Sequence, residues 1–331
     1  MLNVVIPVYK ARDTLPELLA ALSIQTYKMF IVTISQDGDG EDYSDILDEY
    51  RAKGLKIRLI KNTENCGPGI ARQLGIDHSE NCDYIMFVDA DDLVTPRIVE
   101  VLYKEAKKNN VDVLTSDFIA ETEHSSQYMS VQRTPITWFH GKIYKVDYLK
   151  EKNIRFLKEL RLNEDSYFNL VAINSTKNKM KVQEYTYIWR YNKNSLTRQK
   201  NDEFFFRRSW QQYILSQIRG IQSIIEIAGE MDIKVLAATI LNVFNHCMTA
   251  DFLKIDYREI SNLLEELKEV PKVQEYFGEK SFWSYIQQNL KGCGYIDGNL
   301  FFYKERFIDW FTDYILLSQK AISHSEEKKE D

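Results

Sequence analysis

Three carboxylates crowd the end of one apolar run in this chain. Tyr84-Ile85-Met86-Phe87-Val88 is followed at once by Asp89, Ala90, Asp91 and Asp92. The run is short, rich in strand formers and bounded by acid and Pro96, the pattern of a strand buried on both faces. Like charges a few Å apart cost about 1 kcal/mol per pair even in water, so the pattern calls for a cation. Successive strand side chains alternate in direction, which lets Asp89 and Asp91 face one way while Ala90 faces the other. Two hard oxygen ligands with room for water suit Mg²⁺ or Mn²⁺, ions that also take phosphate oxygens. The competing reading is a helix start, with Asp92 or Thr95 capping and the extra acid favoured by the dipole.

Other stretches carry chemistry of their own. Gln36-Asp37-Gly38-Asp39-Gly40-Glu41-Asp42 reads first as a loop of turn formers. In Asn65-Cys66-Gly67-Pro68-Gly69-Ile70-Ala71-Arg72, two glycines permit close backbone approach ahead of a helix whose amides can face an anion, and Arg72 projects from its first turn. Neither G-x-G-x-x-G nor G-K-[ST] is present there, which weakens a dehydrogenase or kinase reading. Leu162-Asn163-Glu164-Asp165-Ser166 sets two adjacent carboxylates at the head of an apolar helical stretch, where Asn163 or Asp165 can also serve as a cap.

The elements that must position these groups alternate in period. Strands are expected at LNVVIPVY, FIVTIS (30–35), KIRLIK (56–61), DYIMFVD and VDVLTSDF. Helices are expected from Asp13 to Gln25, near 42–53, from Pro68 to about His78 and from Pro96 to Asn109. Strands alternating with helices of this length imply a mostly parallel sheet covered on both faces. Ligands of such sheets bind beyond the carboxyl ends of the strands, which is where Pro7–Tyr9, Asp37–Asp39, Asn62–Gly67 and Asp89–Asp92 fall. Residues 121–200 mix short strands with helices at 146–152 and 165–175 and a strand at 180–190. Long helical periodicity follows from about 201, giving expected bounds of 1–200, 201–322 and a frayed tail at 323–331.

Composition narrows the class. The chain has 331 residues, 44% hydrophobic and 28% charged, with a net charge of −6, so it has ample material for a core. The acidic balance argues against nucleic acid as a partner. No basic segment leads into a long apolar stretch at the N-terminus, and residues 233–253 are interrupted by Lys234, Asn242, Asn245 and His246. Cys66, Cys82, Cys247 and Cys293 lie far apart, as reduced thiols in a cytoplasmic protein would. Aromatic residues at helical spacing after 200 read as core; an exposed aromatic face there would serve homo-oligomerisation or peripheral membrane contact.

Seven of these blocks, in this order, resemble family 2 of the glycosyltransferases. They are IPVYKARDTLPELLAALSIQTY, the strand ending in QDGDGED, NTENCGPGIARQLGI, YIMFVDADD, GKIYKVDYLKEKNIRF, LNEDSYF and YIWRYNKNSLT, spanning roughly residues 2–198. The resemblance implies a GT-A fold, a Rossmann-like mixed, mostly parallel sheet, followed here by a helical C-terminal region. It implies a metal-dependent, inverting transfer of a sugar from a nucleoside diphosphate, UDP-Glc, UDP-GlcNAc or UDP-Gal first, to a hydroxyl of a glycan, a teichoic-acid-like polymer or a lipid-linked acceptor, in the cytoplasm or at the inner face of the membrane. Protein, a modified DNA base, or a non-catalytic sugar- or nucleotide-binding role are the alternatives.

The resemblance also implies roles. Pro7, Val8 and Tyr9 line the nucleoside pocket and Asp37 meets the base, although Ser35-Gln36 and Asp39 depart from the family's usual neighbours. Asn65 and Arg72 border ribose and diphosphate, Asp89 and Ala90 the ribose or metal, and Asp91 with Asp89 the Mn²⁺ or Mg²⁺. Asp165 is the general base, which takes the acceptor's proton, and Glu164 orients it or touches the acceptor. Trp138 and His140 fall on the acceptor side, with packing against aromatics as the plain alternative for His140. Arg190 falls near the diphosphate, with a surface strand arginine as its alternative.

Overall fold

The computed structural model describes residues 1–122, 127–131, 137–192, 203–252, 258–290, 307–313 and 315. Cys293, residues 193–198 of the last motif and the tail at 323–331 lie outside the described residues.

Strand β1 (Leu2–Val8) is buried on both faces, and its two faces meet different helices. Leu2, Val4, Ile6 and Val8 share a core cluster with Leu15, Leu18, Leu19 and Leu22 of α1 (Leu15–Ser23). Asn3 and Val5 turn the opposite way, onto α3 (Pro68–Asp77). Asn3 is fully buried, and its amide is used completely: Nδ2 donates to Gly75 O at 3.2 Å and Ser79 Oγ at 2.9 Å, while Oδ1 accepts from Thr33 Oγ1 at 2.7 Å. A polar group in the core is tolerated on that condition. Thr33 belongs to β2 (Phe30–Asp37), so one side chain ties two strands to a helix.

Between β2 and α3 come α2 (Ser44–Ala52) and β3 (Ile57–Asn62), and after α3 come β4 (Tyr84–Phe87), the short β5 (Leu93–Val94) and α4 (Ile98–Asn109). The chain continues through β6 (Val113–Glu121), β7 (Tyr128–Val131), β8 (Lys142–Lys145), α5 (Val146–Glu151), α6 (Glu164–Asn174) and β9 (Lys179–Trp189). The sheet order is β3-β2-β1-β4-β8-β6-β9-β5, with β7 pairing antiparallel to Phe118–Glu121 of β6. β3, β2, β1 and β4 run parallel, so Asn62, Asp37, Val8 and Phe87 all end at one edge. The strand VDVLTSDF does not follow β4 directly. β8 lies between them, antiparallel to both, because the 142–145 segment returns to pair with Tyr84 and Ile85 on one side and Val113–Thr115 on the other. The sheet is therefore parallel where the nucleoside-pocket and acidic loops are expected and mixed beyond.

The chain divides into two compact units, Met1–Asn201 and Asp202–Asp331. The second is helical, with α7 (Glu203–Ala228), α8 (Ile233–Phe252), α9 (Arg258–Lys268), α10 (Pro271–Phe277) and α11 (Lys280–Asn289). Phe244, Phe277, Phe282, Trp283, Phe307, Trp310 and Phe311 are buried within it, so these spaced aromatics are core. No helix among the described residues is long and apolar enough to cross a membrane.

The β1–α3 contact leaves no room for a methyl group. A Cβ built on Gly75 would stand 2.4 and 2.5 Å from the two γ-methyls of Val5. Gly75→Ala is expected to cost about 1–3 kcal/mol, the range for overpacking a core, and thermal melts should show part of that loss recovered in the Gly75→Ala, Val5→Ala double variant.

Candidate active site

The parallel edge is braced by two aspartates. Asp37, at the end of β2, is buried; its Oδ1 accepts from Asn62 Nδ2 and Cys66 N, each at 3.0 Å, and its Oδ2 accepts from Gly67 N at 2.8 Å. It thereby caps the chain entering α3. Gly38 next to it has φ +64°, and a Cβ there would lie 2.2 Å from the carbonyl carbon of Glu64, so the two loops touch backbone to backbone. Asp39 accepts from Lys10 N at 2.8 Å, Gln36 Nε2 at 2.5 Å, Tyr43 OH at 2.7 Å and Glu41 N at 3.1 Å. Burial pushes its carboxyl up, but bonds from Gln36, Lys10, Tyr43 and Glu41 outweigh that and hold it below the ordinary value. Both departures from the family's neighbours, Gln36 and Asp39, are thus engaged with each other. Behind them, Val8 is fully buried and Tyr9 is 47% exposed.

Arg72 joins this edge to the head of α6. It is 5% exposed, its Nη2 donates to Asp89 Oδ1 at 2.6 Å, and its Nη1 donates to Glu164 Oε1 at 2.7 Å. The guanidinium also lies over the Phe139 ring at 4.8 Å. Burial alone would lower its pKa, yet Asp89 and Glu164 more than offset this and keep it charged. An aromatic floor fixes the geometry: Phe168 of α6 stacks on Phe156 at 4.3 Å, and Phe87 of β4 meets both edge-on at 5.7 Å. The expected contact of Arg72 with an anion is met inside the protein, by two carboxylates.

Asp165 follows Glu164 in the first turn of α6 and is partly buried. Its Oδ1 accepts from Ser166 N at 2.7 Å, and its carbonyl accepts from Asn169 Nδ2 at 2.9 Å. Asn163 is the N-cap residue in the left-handed region and makes no side-chain capping bond. Burial pushes the Asp165 carboxyl up to about 7, the Glu164 charge adds to the shift, and Arg72 opposes it. Lys142, which sequence reasoning missed, is fully buried, and its Nζ donates to Trp138 O. Burial lowers its pKa to about 7, against the pull of Asp165. Strand alternation places Lys142 on the side of buried Tyr144, and that was the available signal.

The acidic strand end divides between two environments. Asp92 is buried, with Oδ2 accepting from Tyr187 OH at 2.6 Å and Oδ1 from Arg190 N at 2.9 Å. Burial raises its pKa well above the ordinary value, and repulsion from Asp89 and Asp91 raises it further. His140 is buried, stacks on Tyr187 at 4.6 Å and has Nε2 4.0 Å from Asp92 Oδ2. Burial drives its pKa down to about 3, so it is neutral and packed among aromatics. Asp91 accepts from Asn192 Nδ2 at 2.8 Å, and burial raises its pKa too. Among the described residues, Asp89, Asp92 and His140 form the one trio whose ligand atoms all lie within 4.8 Å of one another; Asp91 is outside it.

The remaining expected residues scatter. Ala90 is buried, and Asn65 is exposed, its carbonyl accepting from Arg161 Nη2 at 3.0 Å. The Arg190 guanidinium is directed to Glu17. Trp138 is 37% exposed and stacks on Trp189 at 5.4 Å, a partner the sequence reading did not single out. A divalent cation fits the acidic end: Asp91 and Asp92 are both raised by burial and by neighbouring carboxylates, and His140 Nδ1 is buried with no hydrogen-bond partner.

The fold matches that of solved GT-A structures: Staphylococcus aureus TarS 1–349 in complex with UDP-GlcNAc superposes with a TM-score of 0.65 at 18% identity, covering 93% of this chain and 88% of that one. Residues 3–158 match the family described as Glycosyl transferase family 2, and the chain carries a domain of that family. Uncharacterized glycosyltransferase EpsJ of Bacillus subtilis (strain 168) is 26% identical over 60% of this chain. The poly(ribitol-phosphate) beta-glucosyltransferase of Bacillus spizizenii (strain ATCC 23059 / NRRL B-14472 / W23) is 28% identical over 57% of it. The matches span 63% of EpsJ and 32% of the glucosyltransferase.

Two outcomes follow from the charges. Arg72→Met strands Asp89 and Glu164, so urea unfolding at pH 7 in EDTA should show a loss of about 3 kcal/mol, the low end for a broken buried pair because Asp89 is part-exposed. Folded Asp165 keeps its proton to about pH 7, whereas an unfolded aspartate releases it near pH 4. The unfolded state therefore binds fewer protons between those values, and this group's contribution falls as pH rises through that window. Asp165→Asn should accordingly raise Tm more at pH 8 than at pH 5.

Proposed function

We propose that the chain is an inverting glycosyltransferase that moves a sugar from a nucleoside diphosphate, UDP first, to a hydroxyl of a glycan, teichoic-acid-like polymer or lipid-linked acceptor. The observation that carries this reading is Asp165, a carboxyl raised to about 7, beside Glu164, which the single guanidinium of Arg72 bridges to Asp89 of the acidic strand end. A base poised near neutral pH both accepts and releases a proton readily.

In this reading Pro7, Tyr9 and the loop braced by Asp37 and Asp39 border the base and ribose. Asp89 and Asp91 would hold the Mn²⁺ or Mg²⁺, with Asp92 and His140 behind them. A divalent ion bound there supplies positive charge for the leaving diphosphate. Asp165 takes the proton from the acceptor hydroxyl as its oxygen bonds to C1 and the C1–phosphate bond breaks, which inverts the anomeric centre. Glu164, paired with Arg72, orients the neighbouring base. Arg72 keeps Asp165 from drifting further up in pKa, so it remains ionisable at neutral pH. TarS was solved with UDP-GlcNAc, and the beta-glucosyltransferase acts on poly(ribitol phosphate); these names support a UDP-sugar donor and a cell-surface polymer acceptor for this chain.

The test is slow donor hydrolysis across UDP-, GDP- and dTDP-sugars. Wild type with Mn²⁺ should turn over one donor, EDTA should abolish it, and Asp91→Ala should lose it. Asp165→Asn should lower the rate by about 10²–10⁴-fold, the usual worth of a positioned base. Absence of both turnover and nucleotide binding across the panel would sink the reading.

A further inference from the structure

Lysines are seldom buried outright, yet Lys142 of β8 is fully enclosed, with its Nζ donating to Trp138 O. A carbonyl satisfies one proton of an ammonium group and does not balance its charge. Taking that charge out of water costs several kcal/mol unless an opposite charge stands near. The charge that acts on Lys142 is the Asp165 carboxylate. The transfer step uses Arg72, Glu164 and Asp165 and leaves Lys142 without a part.

Hydrogen bonds link this face of β8 to the helix that carries Asp165. Lys142 and Tyr144 lie two residues apart and so share one side of the strand. Tyr144 OH donates to Asn169 Oδ1 of α6. Asn169 is itself fully buried, and its Nδ2 donates to Asp165 O at 2.9 Å and to Thr137 O at 3.4 Å. Asn169 and Lys142 thus hold two consecutive carbonyls, those of Thr137 and Trp138. Lys142 N closes the turn by donating to Phe139 O at 3.2 Å, and the Phe139 ring lies under the Arg72 guanidinium at 4.8 Å. The head of α6 and the platform beneath Arg72 are therefore tied to the same turn. That tie needs only hydrogen-bond donors; the buried charge of Lys142 needs the carboxylate.

We propose that Lys142 is a positioning residue for the base: through the Trp138 carbonyl it fixes the turn beside the head of α6, and its charge stabilises the Asp165 carboxylate. This rests on the transferase reading for the word base, and on burial and hydrogen bonding for the pairing. The groups around Asp165 then oppose one another. Glu164 on its own helix and Asp89 at the end of β4 repel its charge, whereas Arg72 of α3 and Lys142 of β8 attract it. Tyr144, also on β8, stays neutral, because burial and the Asp165 charge both hold its proton. Arg72 directs its two hydrogen bonds to Asp89 and Glu164, so Lys142 is the cation whose acidic partner is Asp165.

The experiment compares the pH titration of the Asp165 carboxyl ¹³C signal in wild type, Lys142→Met and Lys142→Arg, assigned against Asp165→Asn. Methionine is close to lysine in length and brings neither charge nor donor. In Lys142→Met the apparent pKa of Asp165 should rise by roughly one unit or more, the effect of removing a nearby opposite charge. Lys142→Arg should restore part of that difference. The rising limb of kcat against pH for donor hydrolysis should move the same way, with KM for the donor held. A folded Lys142→Met whose Asp165 titrates as in wild type overturns the proposal. If Lys142→Met does not fold, the ¹³Cε signal of Lys142 decides instead. It should show the Asp165 inflection in wild type and lose it in Asp165→Asn, and a signal blind to Asp165 overturns the proposal equally. Shifts without donor turnover in wild type fail only the transferase, and turnover without the shifts fails only the role of Lys142.

Discussion

One buried guanidinium decides what the carboxyl edge of the parallel strands can do. Arg72 arises from the first half of α3, yet its two partners come from the end of β4 and the head of α6, 17 and 92 residues away in sequence. Without that cation Asp89, Glu164 and Asp165 would stand together in a poorly solvated corner, where repulsion is far stronger than in water. With it, Glu164 has a partner that opposes the upward push of burial on its pKa, and Asp165 keeps a raised but reachable pKa. The acids further along the loop, Asp91 and Asp92, lie outside its two hydrogen bonds and still lean toward protonation. That remaining demand for positive charge is where a divalent cation and a diphosphate fit together.

Rigid packing makes such a cluster possible. The Asp37 and Asp39 carboxylates are filled by backbone and side-chain donors, so the loops at the end of β2 are braced by the protein itself. The stacked pair Phe156 and Phe168, with Phe87 against both, locks the head of α6 over the end of β4. Like charges are held close by apolar contacts that have nowhere else to go, a condition met at sites and seldom at surfaces.

Much of this was legible because it is local. Period-2 and period-3.6 patterning located β1, β2, β3, β4, α1, α3 and α4 to within a few residues, and the strand-end acids announced the edge that matters. What was not legible depends on contacts distant in sequence. Arg72 reads as an anion-facing helix arginine until α6 is known to sit beside it. Lys142 looks like an ordinary strand lysine until Tyr144, two residues on, is seen packed against α6 through Asn169. The insertion of β8 between β4 and β6 reverses the local strand direction, and nothing in four residues of KIYK marks that. Trp189 lies within a quoted motif, but its partner Trp138 is 51 residues away in numbering and meets it only in the folded chain.

The direct measurement of the Arg72 bridge is the ionisation of Asp165, followed by the carboxyl ¹³C shift of aspartate-labelled protein and assigned against Asp165→Asn. An apparent pKa near 7 in wild type, moving upward in Arg72→Lys as the two-pronged contact is lost, is the predicted result. Titration at the ordinary aspartate value, about 4, and indifference to Arg72 would contradict a base tuned by that buried cation.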